Sequence, residues 1–199
     1  MLSIIFQVLG GWVYGHLLEY SIHRFLLHGP MKRRGKIFSF HFAQHHKNSR
    51  RNKFRDDDYK RPLELGNAAN KELLSLALLS ILHTPLAFYM PWFFCMSMIS
   101  LASYYYHHYR GHKDPNWAKN HIPWHYDHHM GKDQDSNYGV RSDFFDKIFN
   151  TRKTILLRGK SVMKSFLSSR QSTTKGNINE KTPLYFLFNH AFITCHGRC

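Results

Sequence analysis

Sixteen of the 199 residues are histidine, and they are clustered rather than scattered. Twelve fall into four short groups: His23 and His28; His41, His45 and His46; His107, His108 and His112; His121, His125, His128 and His129. Neutral imidazole is a borderline-soft nitrogen donor suited to iron, zinc, copper and nickel. Boxes of two to four histidines are what a site needs when it binds metal almost wholly through nitrogen. A supply of about ten imidazoles exceeds the four to six positions that one ion offers, so the expectation is two ions. His16, His83, His190 and His196 have no such spacing and read as ordinary residues.

Spacing says how the ligands would be presented. His41 and His45, His108 and His112, His121 and His125, and His125 and His129 are each four apart, which puts each pair on one face of an α-helix. His128, three from His125, shares that face. The doublets His45–His46 and His128–His129 diverge by about 100° on a helix. One doublet can therefore serve two ions, or one ion and an outer partner. His23 and His28 are five apart and do not stack on an ideal α-helix, and Gly29–Pro30 then ends the element. The carboxylates nearest the boxes are Glu19 and Asp127, each a candidate to accept the second ring N–H of a ligating histidine. The alternative for each is an ordinary surface or interfacial charge.

The elements that must position these boxes are apolar. Residues 2–18 are uncharged and run straight into the first box, and residues 73–107 carry no charge at all, with Pro85 and Pro91 near the middle. About 20 apolar residues span a bilayer core, so the second stretch is long enough for a helical hairpin with short arms. Its prolines would form the turn or break the helices. A buried helical pair in a soluble bundle is the alternative. The first segment lacks a basic leader and a small-residue cleavage site, and is expected to be retained. Gly10, Gly11 and Gly15 would let it pack closely against a neighbouring helix. The expected fold class is all-α: integral membrane helices with a histidine-rich cytosolic helical lobe.

The net charge of +15 comes from 28 Lys and Arg against 13 Asp and Glu. Eleven of these cations lie between residues 31 and 61 and twelve between 110 and 170, flanking the apolar segments. If 73–107 is a hairpin both blocks share one side, which the positive-inside rule makes cytoplasmic, facing anionic headgroups. Nucleic-acid binding is the rival reading of so basic a chain, but no motif supports it and the uncharged segments oppose it. Cys95, Cys195 and Cys199 make no disulfide framework.

The order of boxes resembles the fatty acid hydroxylase superfamily: His23-x4-His28, then a box ending in His45-His46-Lys47, an apolar hairpin, and His125-x2-His128-His129. The segment Leu18 to His28 is similar to the first box of its fatty acid 2-hydroxylases. Asn137-Tyr138-Gly139-Val140 and the run from Asp143 to Thr151 are similar to the segment after their last box. The resemblance covers residues 10 to 151, so 1–151 is expected to be one membrane domain and 152–199 a tail of unknown role. Two departures stand out. Three residues separate His41 from the doublet where the family usually has two, and Tyr104 stands where the first of a hairpin histidine pair is usual, His108 being the second, with His108 and His112, or His107 and His112, as the substitute pair.

What the resemblance implies is a non-haem di-iron oxygenase hydroxylating a lipid acyl chain with O2, zinc sometimes occupying the site of purified members. Electrons would come from a carrier such as cytochrome b5 or ferredoxin. An unactivated C–H bond has no acidic proton for base catalysis, so redox metals must carry the reaction. The implied ligands are His23, His28, His41, His45, His46, His108, His112, His121, His125, His128 and His129. The implied location is the cytoplasmic face of the endoplasmic reticulum in a eukaryote, or of the inner membrane in a bacterium. A sterol or acyl-lipid desaturase is the nearest alternative, and a metal-binding membrane protein without catalysis is one from another class.

Overall fold

The computed structural model describes residues 1–154 apart from 34, 62, 63 and 65. His190, His196, Cys195, Cys199 and all of the expected tail beyond residue 154 lie outside the described residues.

Every regular element described is helical. α1 (Leu2–Ser21) continues without a break into a π-helical turn, Ile22–Leu27, and a second π turn, His41–His46, leads into α2 (Lys47–Arg51). α3 (Ala68–His83) starts where the Asn67 side chain accepts from the Asn70 amide at 2.8 Å, satisfying one of the donors a helix start leaves open. α4 (Leu86–Tyr89) and α5 (Pro91–Lys113) come next, so Pro85 and Pro91 bracket the turn of the hairpin, as the sequence predicts. Short helices α6 (Pro115–His121), α7 (Pro123–Met130) and α8 (Phe144–Ile148) complete the fold. α6 and α7 each begin at a proline, where the missing N–H costs nothing.

α1 packs along α5 with small residues at the crossing. A Cβ on Gly11 would meet the Phe93 carbonyl at 2.8 Å, and one on Gly15 would collide with the Ser100 side chain. Gly10 makes only ordinary contact with Phe93 at 3.7 Å. A hydrogen bond of 2.7 Å between Tyr14 Oη and His83 Nε2 ties α1 to α3.

The expectation of membrane-spanning helices is corrected in one respect: among the described residues, no helix is long and apolar enough to cross a membrane. α3 has 16 residues, which rise only about 24 Å against a hydrocarbon core of about 30 Å. α1 is interrupted by His16 and Glu19, and the last turns of α5 carry histidine, arginine and lysine. The apolar surface is nonetheless extensive. Phe6, Leu9 and Trp12 on α1, Leu78, Ile81 and Leu82 on α3, and Phe88 at the hairpin turn are all exposed.

The polar lobe has an unusual interior. A small apolar cluster of Phe54, Ala118 and Ile122 packs with Trp117 and Tyr126, but among the described residues six of the twelve largest fully buried side chains are imidazoles.

Candidate metal centre

Ten histidines converge at the junction of the helices and the lobe, and all ten are buried. Two groups have their ligand atoms mutually close enough to hold a metal ion. One contains His23, His28, His41, His46 and His128; the other contains His45, His108, His112 and His129. His125 borders the second, its Nε2 3.3 Å from that of His112.

Local backbone geometry makes this partition. A π turn brings residues five apart onto one face, and the His28 amide donates to the His23 carbonyl at 2.9 Å. The five-residue spacing of the first box, which fits no α-helix, is thereby explained. The second box lies on the other π turn. His41 therefore pairs with His46, their Nε2 atoms 3.3 Å apart, and His45 turns to the second group. That corrects the expectation that His41 and His45 share a face. Both doublets, His45–His46 and His128–His129, are split between the groups.

Within the groups Nε2 faces Nε2: 3.0 Å for His23 and His41, 3.1 Å for His28 and His46, 3.2 Å for His128 and His46, and 3.2 Å for His45 and His108. Ligands about 2.0–2.1 Å from an ion lie about 2.9 Å apart in octahedral and about 3.4 Å apart in tetrahedral geometry. The observed separations fall within that range.

The other ring nitrogens fix the tautomers. Nδ1–H of His23 donates to the Tyr138 carbonyl, that of His112 to the Phe54 carbonyl at 2.8 Å, and that of His128 to the Ser136 carbonyl at 2.6 Å. Carboxylates accept from three more: Asp135 from His28 at 3.1 Å, Asp56 from His45 at 2.7 Å, and Glu72 from His108 at 2.6 Å. With the proton on Nδ1, each Nε2 presents a lone pair. Lone pairs facing one another at 3.2 Å repel unless a cation lies between them. Among the described residues, both ring nitrogens of His129 and Nδ1 of His125 are buried without a hydrogen-bonding partner; in a neutral ring one nitrogen keeps the proton and the other has its lone pair free for an ion. The donor set fits metal binding.

Electrostatics agree. Burial pushes the imidazoles of His23, His41, His46, His112, His125, His128 and His129 well below their ordinary pKa, and neighbouring imidazoles push further. His28 is lowered to about 4 by burial, against the opposing pull of Asp135. Neutral rings are the form that binds metal.

His121 stands apart. It is exposed at the end of α6, its Nδ1–H donates to the Trp117 carbonyl of its own helix at 2.9 Å, and its ring stacks on Trp117 at 4.7 Å. Ile122 has φ −133° and Pro123 starts a new helix, so the four-residue relation between His121 and His125 is broken. This corrects its expected place among the ligands. His107 also turns away, to the Ser103 carbonyl at 2.7 Å. His112 joins the second group instead.

Tyr104 is not a gap in the site. It stacks on His108 with centroids 5.5 Å apart, and lines the same cavity as Glu72, which accepts from His108.

Of the expected outer carboxylates, Glu19 takes another role. Glu19 accepts from the Val140 amide at 2.6 Å and the Arg141 amide at 3.1 Å, and pairs with Arg141 Nε at 2.6 Å. It thereby anchors the segment whose Tyr138 carbonyl orients His23. Asp127 is buried and lies 3.8 Å from Arg152. The carboxylates that do reach ligands, Asp56, Glu72 and Asp135, sit outside the boxes, where sequence reasoning passed over them; only their acidity in otherwise basic or apolar stretches marked them.

A cavity of about 290 Å³ lies between α1, α3 and α5, walled by Leu18, Ile22, Leu76, Leu79 and Leu101. His41 of one group and Glu72, the partner of His108 in the other, also belong to its wall.

Among known protein families, the one described as fatty acid hydroxylase matches residues 8–151. The comparisons with curated proteins and with solved structures return no match.

Proposed function

The chain belongs to the fatty acid hydroxylase family, and we propose that it is a membrane-bound di-iron oxygenase that hydroxylates a lipid acyl chain. The observation that carries this reading is the leucine-lined cavity whose wall includes both His41 and Glu72. An unfunctionalised chain can lie there with one carbon beside the two histidine groups, shielded from water. Apolar burial would supply its binding, at roughly 25 cal/mol per Å² removed from water.

Two irons, when bound, would supply the capacity to reduce O2 and oxidise an unactivated C–H bond, which redox-inert zinc cannot do. The chain's own groups do the rest. Tyr138, Ser136 and Phe54 carbonyls and the Asp56, Glu72 and Asp135 carboxylates hold the rings so that Nε2 faces inward. Tyr59 donates to Glu72, and fixes the carboxylate that fixes His108. In the overall balance, one oxygen atom enters the C–H bond and the other becomes water. Two electrons must come from an external carrier, such as a cytochrome b5 or a ferredoxin delivering one at a time, and two protons from water.

The exposed apolar residues of α1, α3 and the hairpin turn would sit in the bilayer, so that lipid reaches the cavity sideways. The basic lobe would then face the cytoplasm and its anionic headgroups. Desaturation requires the same metals and cavity, and differs only after hydrogen removal. Expression in cells followed by mass spectrometry of the lipids tests the reading. A gain of one oxygen atom supports hydroxylation, a loss of two hydrogens supports the desaturase, and unchanged lipids with iron and a donor present overturn both.

A further inference from the structure

The cavity wall is apolar apart from a few groups, and two of these have unmet hydrogen-bonding capacity. The Arg141 side chain is 7% exposed, with its Nε committed to Glu19 at 2.6 Å, while its Nη2 has no hydrogen-bonding partner among the described residues. Ser100 Oγ, on α5, is likewise buried without a partner among the described residues. Both residues line the cavity, as does Gly15 on α1. Both atoms lie within 4 Å of the place a Cβ on Gly15 would take, and so lie close to one another. A buried donor left unpaired is costly, and costlier when charged. Neither group serves the histidines.

We propose that Arg141 and Ser100 form a subsite for a neutral oxygen of the substrate, a hydroxyl or an ester or amide carbonyl. The proposal rests on reading the cavity as the lipid site. A carbonyl oxygen has two lone pairs and can accept from both groups, and a hydroxyl can accept from Arg141 and donate to Ser100. A carboxylate is disfavoured because Glu19 already neutralises Arg141, and a second anion would lie uncompensated among leucines.

The subsite also sets a distance. Ser100 lies eight residues before His108 on α5, about 12 Å of helix rise. Glu19, which holds Arg141, lies about one turn before His23. An oxygen held there puts the carbon beside the metals several bonds further along the chain, not next to the oxygen.

The test uses the full-length protein in detergent without added metal, and reads competition against a fluorescent long-chain probe. The competitors are a primary alcohol, an N-methyl amide, a carboxylate and a 1-chloroalkane of equal chain length. The alcohol and the amide should bind about tenfold more tightly than the other two, as expected for a hydrogen bond to a charged donor. Ser100→Ala should narrow that preference, and Arg141→Lys, which keeps the charge toward Glu19, should abolish it, with the chloroalkane unaffected. Equal binding of all four by the wild type, tightest binding of the carboxylate, or an equal loss for all four in the variants would overturn the subsite. So would oxidation by the iron-loaded enzyme at the carbon adjoining the oxygen. A persistent preference in a protein that oxidises no lipid would leave the subsite standing and remove the oxygenase reading instead.

Discussion

His45 Nε2 and His108 Nε2 stand 3.2 Å apart, while the opposite nitrogen of each ring donates to a carboxylate, Asp56 for His45 and Glu72 for His108. Two lone pairs are thus held face to face by residues from three separate parts of the chain, an arrangement that a shared cation stabilises.

The first prediction is that the two ions can be removed separately. Reconstituted with Fe(II), the protein should hold about two ions per chain, since ten imidazoles exceed what one can use. His46→Ala should lose the ion of the first group and His45→Ala that of the second, each falling to about one ion per chain by elemental analysis. His121→Ala should keep both, because that ring is outside the groups. Identical loss in both doublet variants would refute the split.

Activity should obey the same division. His128→Ala and His129→Ala are expected to abolish lipid oxidation, and His112→Ala to reduce it severely, since His112 belongs to the second group. His190→Ala and His196→Ala, beyond the residues that match the family, should stay near wild-type activity at equal expression. Equal inactivity of the tail variants would show that the site extends into that segment.

The carboxylates that hold the rings should matter almost as much as the ligands. Asp56→Asn and Glu72→Gln each weaken the acceptor of a ligating N–H, and losses of metal affinity of about 10–100-fold are expected. Competition with a chelator, measured for each variant, checks this. Affinity unchanged in both would mean that the geometry at His45 and His108 is set by packing alone.

Acid should destabilise the metal-free protein. In the fold the buried imidazoles are held neutral, chiefly by burial, with pKa values below the ordinary 6.5. Unfolding returns them to that value, so below about pH 6.5 the unfolded chain binds more protons and stability falls as pH falls. The loss continues until the folded-state values are reached, about 4 in the case of His28. Thermal melts of chelator-treated protein should therefore show a steadily lower Tm from about pH 7 to pH 5. A flat profile would mean that the rings are already charged or open to water.

If the apolar ends lie in the bilayer, residues 31–61 and 110–151 must share one side of it. Single-cysteine labelling in intact membranes, at Lys36 and Lys119 for example, should modify both from the cytoplasmic side. Labelling from opposite faces would separate the boxes and rule out the proposed membrane arrangement.

Much of the centre was legible in the chain alone, because ligand chemistry depends on residue type and the boxes are dense. Histidines four apart on a regular α-helix, such as His108 and His112 on α5, meet as the spacing predicts. The apolar segments and the proline-marked hairpin turn arise from composition in the same way. What the chain could not disclose was the division of the ligands. Spacing arguments assume about 3.6 residues per turn, whereas two π turns shift the register by one residue, so that His23 meets His28 and His41 meets His46 rather than His45. A proline break likewise detaches His121 from His125. The partners of the rings depended on tertiary structure altogether. Glu72 lies 36 residues from His108 and Asp135 lies 107 from His28, and only packing of the chain brings a carboxylate to a buried N–H that would otherwise be unsatisfied.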